Sequence, residues 1–534
     1  MERPSSRPGA NGFEVWAGTK RSFSSSTKKQ GLDPSWPRDS SSWRAEGSSS
    51  RRGPRCRRSR RGCAARWASG TSSGSWSPRS SGPAGSAGPS SLAVWLIALL
   101  AFFLPLGFTV VELSSRHPEE GGLYVWVRYA FGDFAGFLAA WMYWMSTVVY
   151  FPGLLYFIAG NALFLGGPSW QGLSDSAPYY VAVSLGGLGI ALALNVVGLH
   201  VGKWLHNIGG LGTWIPIGIL VAIGFVACLR FGPASDFHPA AFVPSFGLKD
   251  VLFWSTIAFG FSGLEAASFM GGEVVDARRT IPRAIVAGGA IITAIYVLGT
   301  LAVLVALPSR DVGGLQGIMQ AIARAADRVG APYVAPVAAF CFTVGSVGGV
   351  GAWLASTARL PFVAGVDQLL PSAFGRLHPR WGTPHVALGL QAVMAAVFVA
   401  LSQAGTSVKG AYDALVSLGV ISYFIPYLLM FAAMIKLQNV PAPGGTFRAP
   451  GGRPAATSLA AIGFATTAIS IVLAAVPAED TPNPALATLK VVGASVVLLV
   501  AGAALYARGV WSRRARATGG GVSGGDPAGG GGGL

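Results

Sequence analysis

The 534-residue chain reads as an all-α, polytopic membrane protein, and two observations predict it. Only 12% of its residues are charged while 51% are apolar and the mean hydropathy is +0.50; a soluble domain carries roughly 25% charge to cover its surface. The apolar residues also arrive in blocks of about 20, the length that crosses a ~30 Å hydrocarbon core, rather than at an amphipathic period. Lipid has to solvate such blocks, and a backbone in lipid satisfies its own polar groups by forming helices.

Eleven apolar segments follow Leu92, centred near residues 103, 148, 188, 217, 260, 295, 345, 393, 424, 465 and 498, with short connections punctuated by Gly and Pro. Placing the basic tail Arg508, Arg513, Arg514 and Arg516 in the cytoplasm puts Arg278, Arg279, Arg283, Arg376, Arg380, Arg448 and Arg453 on that same side. The opposite side keeps mainly Arg310, Arg324 and Arg328. This asymmetry follows the positive-inside rule and orients the chain, with residues 511–534 as a basic, then Gly-rich cytoplasmic tail.

Residues 1–88 differ in kind. They hold 17 Lys or Arg against five acids, are rich in Ser, Gly and Trp, and show neither a helical nor a strand period, which predicts disorder. The Arg55, Arg57, Arg58, Arg60, Arg61 cluster lacks the interleaved fold of a nucleic-acid site, so no nucleic acid is expected as a partner. Eleven spans with a cytoplasmic C-terminus would leave this basic stretch outside. The conflict points to a missing twelfth span and to a mis-specified or frame-shifted N-terminus.

Chemistry concentrates in Ala258 to Ala284, A-F-G-F-S-G-L-E-A-A-S-F-M-G-G-E-V-V-D-A-R-R-T-I-P-R-A. Gly260 and Gly263 flank Phe261 and Ser262 inside an apolar segment, each weakening a helix by about 1 kcal/mol relative to Ala. A helix broken there frees backbone groups, which survive at membrane depth only beside a cavity or inside protein. Close helix packing is the competing reason for such glycines. Glu265 lies just beyond. An ionisable group at that depth costs ~2.5 kcal/mol or more, and burial penalises its charged form, making Glu265 the candidate proton-coupling group. A permanently protonated carboxyl bonded to a neighbouring span is its structural alternative. Glu273 and Asp276, beside Arg278 and Arg279, read as surface salt bridges.

The same segment, G-F-S-G-x-E followed by E-V-V-D-A-R-R-T-I-P-R-A, resembles the sixth span and following loop of the amino acid–polyamine–organocation permeases. Val111 to Gly132 (V-E-L-S-S-R-H-P-E-E-G-G-L-Y-V-W-V-R-Y-A-F-G) is similar to their second span and amphipathic loop. Ala364 to Pro384 (A-G-V-D-Q-L-L-P-S-A-F-G-R-L-H-P-R-W-G-T-P) resembles the loop after their eighth span, and Phe447 to Gly452 (F-R-A-P-G-G) the loop before the eleventh. The resemblance implies a LeuT-like bundle of two inverted five-helix repeats plus two extra spans over residues 89–510, eleven of the expected twelve being visible. It implies alternating-access transport in the plasma membrane, with a small amine or amino acid as substrate and H+ as coupling ion. Carried over by position, Phe259, Gly260, Phe261, Ser262 and Gly263 would meet the substrate's amino group, with Phe259 as the occluding aromatic. Tyr143, Trp144, Thr147 and Tyr150 on the third span, and Gly345, Ser346, Gly348, Gly349 and Trp353 on the eighth, would line the pocket, with Tyr423 as a further gate. Packing is the alternative for each. The family's first, Gly-rich span has no counterpart in the sequence.

No catalytic constellation competes. Gly260–Leu264 fails the nucleophile-elbow pattern at Leu264, and Gly345 to Gly351 lacks a phosphate-loop lysine. The histidines His117, His200, His206, His238, His378 and His385 form no H-E-x-x-H, and Cys56, Cys63, Cys228 and Cys341 fit no metal spacing. Neither enzyme activity, nor a metal, nor a cofactor is expected. Besides Glu265 only Glu112 and Asp413 lie near span ends, which favours an amino acid over a polyamine. A polyamine or organic-cation permease, a transport-dead solute sensor, or a truncated pseudo-transporter is the alternative.

Overall fold

The computed structural model describes residues 88–244, 248–274, 276–308, 316–367, 369–402, 408–476 and 484–519, and every described element is helical. Expectations about residues 1–87, Arg310 and the side chains of His200, His206, Glu273 and Asp413 lie outside the described residues.

Helix α1 (Ser90–Arg116) contains a π-helical turn at Leu99–Phe103. It is followed by the short α2 (Leu123–Phe131), α3 (Asp133–Ala162), α4 (Ala177–Val197), α5 (Leu199–Phe231) and α6 (Leu248–Gly260). A 3-10 stretch, Leu264–Glu273, leads to α7 (Ala277–Ala306), α8 (Gly317–Arg328), α9 (Val334–Thr357) and α10 (Arg359–Val366). The chain then forms α11 (His385–Ser402), α12 (Val408–Leu437), α13 (Gly452–Ala475) and α14 (Pro484–Gly519). Among the described residues nine helices are long and apolar enough to cross a membrane, and His385–Ala400 is a shorter apolar helix. These account for ten of the eleven apolar segments. The eleventh, near residue 260, is the broken α6 with its 3-10 continuation.

Burial sorts the spans by role. The central window of α3 is 83% buried, whereas that of α14 is only 11% buried, so α3 is a core helix and α14 faces lipid along most of its surface. Helix α3 packs against α12, α9 and α2, while α12 packs in turn on α13. Helices α5 and α9 approach most closely through glycine. A Cβ added at Gly212 would stand 2.5 Å from Gly345 Cα, and one at Gly209 would stand 2.8 Å from the Gly348 carbonyl carbon. Gly345 and Gly348 therefore serve helix packing, the role small residues take where lipid supplies no hydrophobic drive for association.

On the side bearing the basic loops, polar anchors tie the span ends together. Tyr124 donates to Asp367, and Arg128 pairs with Asp133 at 2.7 Å and Asp367 at 3.1 Å. Asp276 makes no ion pair with Arg278 or Arg279 among the described residues; it adopts a left-handed φ of 52°, and its carbonyl accepts the N–H groups of Arg279 and Thr280. His117, directly after α1, accepts the Trp126 indole N–H on its carbonyl and packs its ring 4.8 Å from that of Tyr129. Its burial, then the Arg116 and Arg278 charges, push its pKa from 6.5 down to about 4.

Two outcomes follow. Replacing Gly212 by Leu should lower stability by ~1–3 kcal/mol, because the α5–α9 backbones cannot separate without losing their contact, whereas Gly218→Ala, which meets nothing within 4 Å, should not; thermal melting in detergent measures both. For His117 the unfolded chain takes up the proton first, so its contribution is complete above about 6.5 and declines as pH falls toward 4. Melting temperatures of wild type and His117→Gln across that window should differ in slope.

Candidate functional site

The site begins where α6 stops. Phe261 N–H bonds the Ile257 and Ala258 carbonyls at 3.2 Å, and Ser262 N–H turns back to Phe259 O at 3.1 Å. Gly263 then adopts φ 106°, a left-handed conformation that a side chain would strain, and the 3-10 stretch follows. The two glycines therefore do break the helix. The break is held by protein groups: Tyr296 of α7 donates to Gly260 O at 2.6 Å, the Ser262 hydroxyl donates to Phe259 O at 2.5 Å, and Gly263 N–H donates to the Tyr427 hydroxyl at 2.9 Å.

Immediately beyond the break the Glu265 carboxyl is fully buried and sits in a cage of tyrosines. Tyr143 of α3 and Tyr423 of α12 donate to Oε1 at 2.5 and 2.7 Å, and Tyr427 donates to Oε2 at 2.6 Å. The Tyr143 and Tyr423 oxygens are themselves 2.7 Å apart, so they form a closed triangle with Oε1. Rings seal the cage. Phe269 meets Tyr143 edge-on at 4.8 Å, and Trp353 of α9 lies nearly parallel to Tyr423 at 6.3 Å. Phe259 stands edge-on to both Tyr150 and Tyr423 at 5.6 Å, between α3 and α12.

The residues singled out by sequence thus divide. Glu265, Tyr143, Tyr150, Phe259, Gly260, Ser262, Gly263, Trp353 and Tyr423 come together around the break. Trp144 and Thr147 point elsewhere, to α11, where Trp144 donates to Gln391 at 3.2 Å and Gln391 donates to Thr147 at 3.3 Å and to Thr357 at 2.7 Å. The helical period explains the split: residues 143 and 150 are two turns apart on one face, and 144 and 147 share another. Phe261 faces α1 and α7, boxed by Trp95, Phe103 and Tyr296 at 4.6 to 5.4 Å. Ser346 is buried with an unpartnered hydroxyl and makes no bond to Glu265.

Tyr427 and Tyr296 went unanticipated, although Tyr427 was within reach. It stands four residues after Tyr423 in Y-F-I-P-Y, so the two share a helix face. Nothing local in the sequence marks Tyr296, which meets the break only through the packing of α7.

Comparison with known proteins agrees with this architecture. The family model described as amino acid permease matches residues 67–501. An uncharacterized transporter of Legionella pneumophila is 28% identical over 391 residues, 73% of this chain and 83% of that protein. A probable agmatine/putrescine antiporter of Lactococcus lactis is 23% identical, over 80% of this chain and 90% of its own length. A serine/threonine exchanger of Bacillus subtilis is 24% identical, over 65% and 75% respectively.

Removing the Tyr427 hydroxyl leaves both Glu265 Oε2 and Gly263 N–H without that partner inside the bundle. Tyr427→Phe should therefore cost ~1–3 kcal/mol and lower the melting temperature more than Tyr506→Phe, a change at a part-exposed ring on α14.

Proposed function

This chain belongs to the amino acid permease family, and from that premise we propose that it carries an amino acid across the plasma membrane by alternating access, coupled to protons at Glu265. It is an integral membrane transporter.

One juxtaposition supports the coupling. Gly263 N–H, the Tyr427 hydroxyl and Glu265 form a continuous hydrogen-bonded chain from the helix break to the buried carboxyl. In the triangle of Oε1, Tyr143 and Tyr423, three close oxygen pairs share two hydroxyl protons. A proton on Glu265 supplies the third. The same proton removes the negative charge that strengthens the Tyr427 bond, because charge-assisted hydrogen bonds are roughly twice as strong as neutral ones. Tyr427 then holds Gly263 less firmly, and the break is freer to rearrange. Titration and helix geometry are linked in this way through one side chain.

An amino acid is favoured as substrate because the cage offers one carboxyl. Glu112 is consumed by Arg116 at 2.6 Å, and among the described residues no second carboxyl bonds to the tyrosines of the cage. The second reading, an organic cation, draws its support from the relative named as a probable agmatine/putrescine antiporter.

Counterflow in liposomes, with a panel of amino acids and with agmatine and putrescine, tests the substrate class: exchange of labelled amino acid is expected, and binding without exchange would indicate a sensor. Glu265→Gln keeps a polar group of the same size and removes the titration. Uptake by wild type should rise as external pH falls, and the variant should lose that dependence; an unchanged pH profile would take Glu265 out of the coupling role.

A further inference from the structure

Three span ends meet around a second polar site, on the side of the basic loops and away from the tyrosine cage. Helix α1 ends at Arg116, α12 ends at Leu437, and α13 starts at Gly452. Between them opens a cavity of about 230 Å³ whose wall includes Arg116, Gln438, Asn439, Arg448 and Arg453.

The charges of this wall do not balance. Glu112 is its one acid, and its carboxylate is already occupied: Oε1 accepts Arg116 at 2.6 Å and Gln438 at 2.8 Å, and Oε2 accepts the Ala449 N–H at 3.0 Å. Arg116 in turn donates to Leu437 O at 2.9 Å and keeps an unpartnered Nε, although it is only 6% exposed. Setting Arg116 against Glu112 leaves Arg448 and Arg453 as uncompensated positive charge. Arg453 donates to the neutral amide of Asn439, and Arg448, exposed at the mouth, has no ion-pair partner among the described residues. Helix α13 starts here after Gly451 at φ 91° with no side-chain cap; its Gly452 N–H donates to Ala449 O and Pro454 carries no N–H, so the helix start contributes its dipole rather than a row of donors. Two uncompensated guanidiniums lining one cavity, beside the neutralised Arg116–Glu112 pair, suit a tetrahedral dianion or diester.

We propose that this cavity binds a phosphate group, carried by an anionic lipid headgroup or by a small soluble phosphate. Its position favours the headgroup. The wall consists of span ends, which lie at the level where lipid headgroups begin, and Val440, 39% exposed beside the arginines, offers an apolar lip. The Phe447 to Gly452 segment, which the cage leaves without a role, becomes the arm that carries Arg448 over the site.

The test uses the full chain, purified in detergent, as wild type and as Arg448→Gln/Arg453→Gln; Arg116 is left intact because its loss would strand Glu112. Thermal melting is followed with phosphatidylglycerol, phosphatidylcholine or inorganic phosphate added, and bound lipid is counted by native mass spectrometry. Phosphatidylglycerol should stabilise and co-purify with wild type, and the double variant should bind it roughly tenfold more weakly. Stabilisation by inorganic phosphate alone, lost in the variant, would support the site and assign it to a soluble ligand. If the double variant fails to melt cooperatively, the exposed Arg448→Gln alone carries the comparison. Equal binding by wild type and variant, or no response of wild type to either probe, overturns the proposal. Because binding is the readout, this outcome is independent of what the protein transports.

Discussion

Burying one carboxyl constrains the centre of this molecule. Glu265 sits where no water reaches it, and an unpaired polar group there would cost several kcal/mol. Three tyrosines from two helices meet that requirement, which fixes the rotation of α3 and α12 toward the helix break. Tyr427 does double duty, satisfying the carboxyl on one side and the Gly263 amide on the other. The break, the cage and the two core helices are therefore one hydrogen-bonded unit. Low local dielectric strengthens each bond in such a network and raises the cost of losing any member.

Around that unit the bundle uses two different kinds of adhesion. Helices α5 and α9 meet by backbone contact, with Gly212 against Gly345 and Gly209 against Gly348, so van der Waals packing over a small interaxial distance holds them. The contacts at the break itself are interlocking rings: Trp95 stacks on Tyr296 at 4.6 Å, and Phe261 meets Phe103 at the same distance. Glycine contact leaves little freedom to slide, while the ring cluster surrounds a segment whose backbone is already irregular.

Helix α12 joins the two polar sites. It carries Tyr423 and Tyr427 at the cage and ends at Leu437, whose carbonyl holds Arg116 at the phosphate-group cavity. Ten residues of helix separate Tyr427 from Leu437, a rise of about 15 Å. The helix is continuous from Tyr427 to Leu437, while Pro426 interrupts its ladder between Tyr423 and Tyr427.

Composition and pattern alone determined that the chain crosses a membrane many times, because low charge and apolar blocks of span length have no other physical home. They also located the helix break and the intramembrane acid, since Gly260, Gly263 and Glu265 are abnormal for a lipid-facing helix whatever surrounds them. The residues gathered around the acid were only partly legible. Tyr143 and Trp144 are adjacent in sequence, yet helical rotation sends one to Glu265 and the other to Gln391. Phe261 belongs to the broken segment but packs on α1 and α7. Tyr296 reaches the break from the next helix and Tyr427 from one far along the chain, and Gly345 and Gly348 turn to α5 rather than to the cage. Contacts of this kind depend on how helices are rotated and paired, which a single sequence does not encode locally. Tertiary structure decided them, because only packing sets which face of each span meets the buried carboxyl.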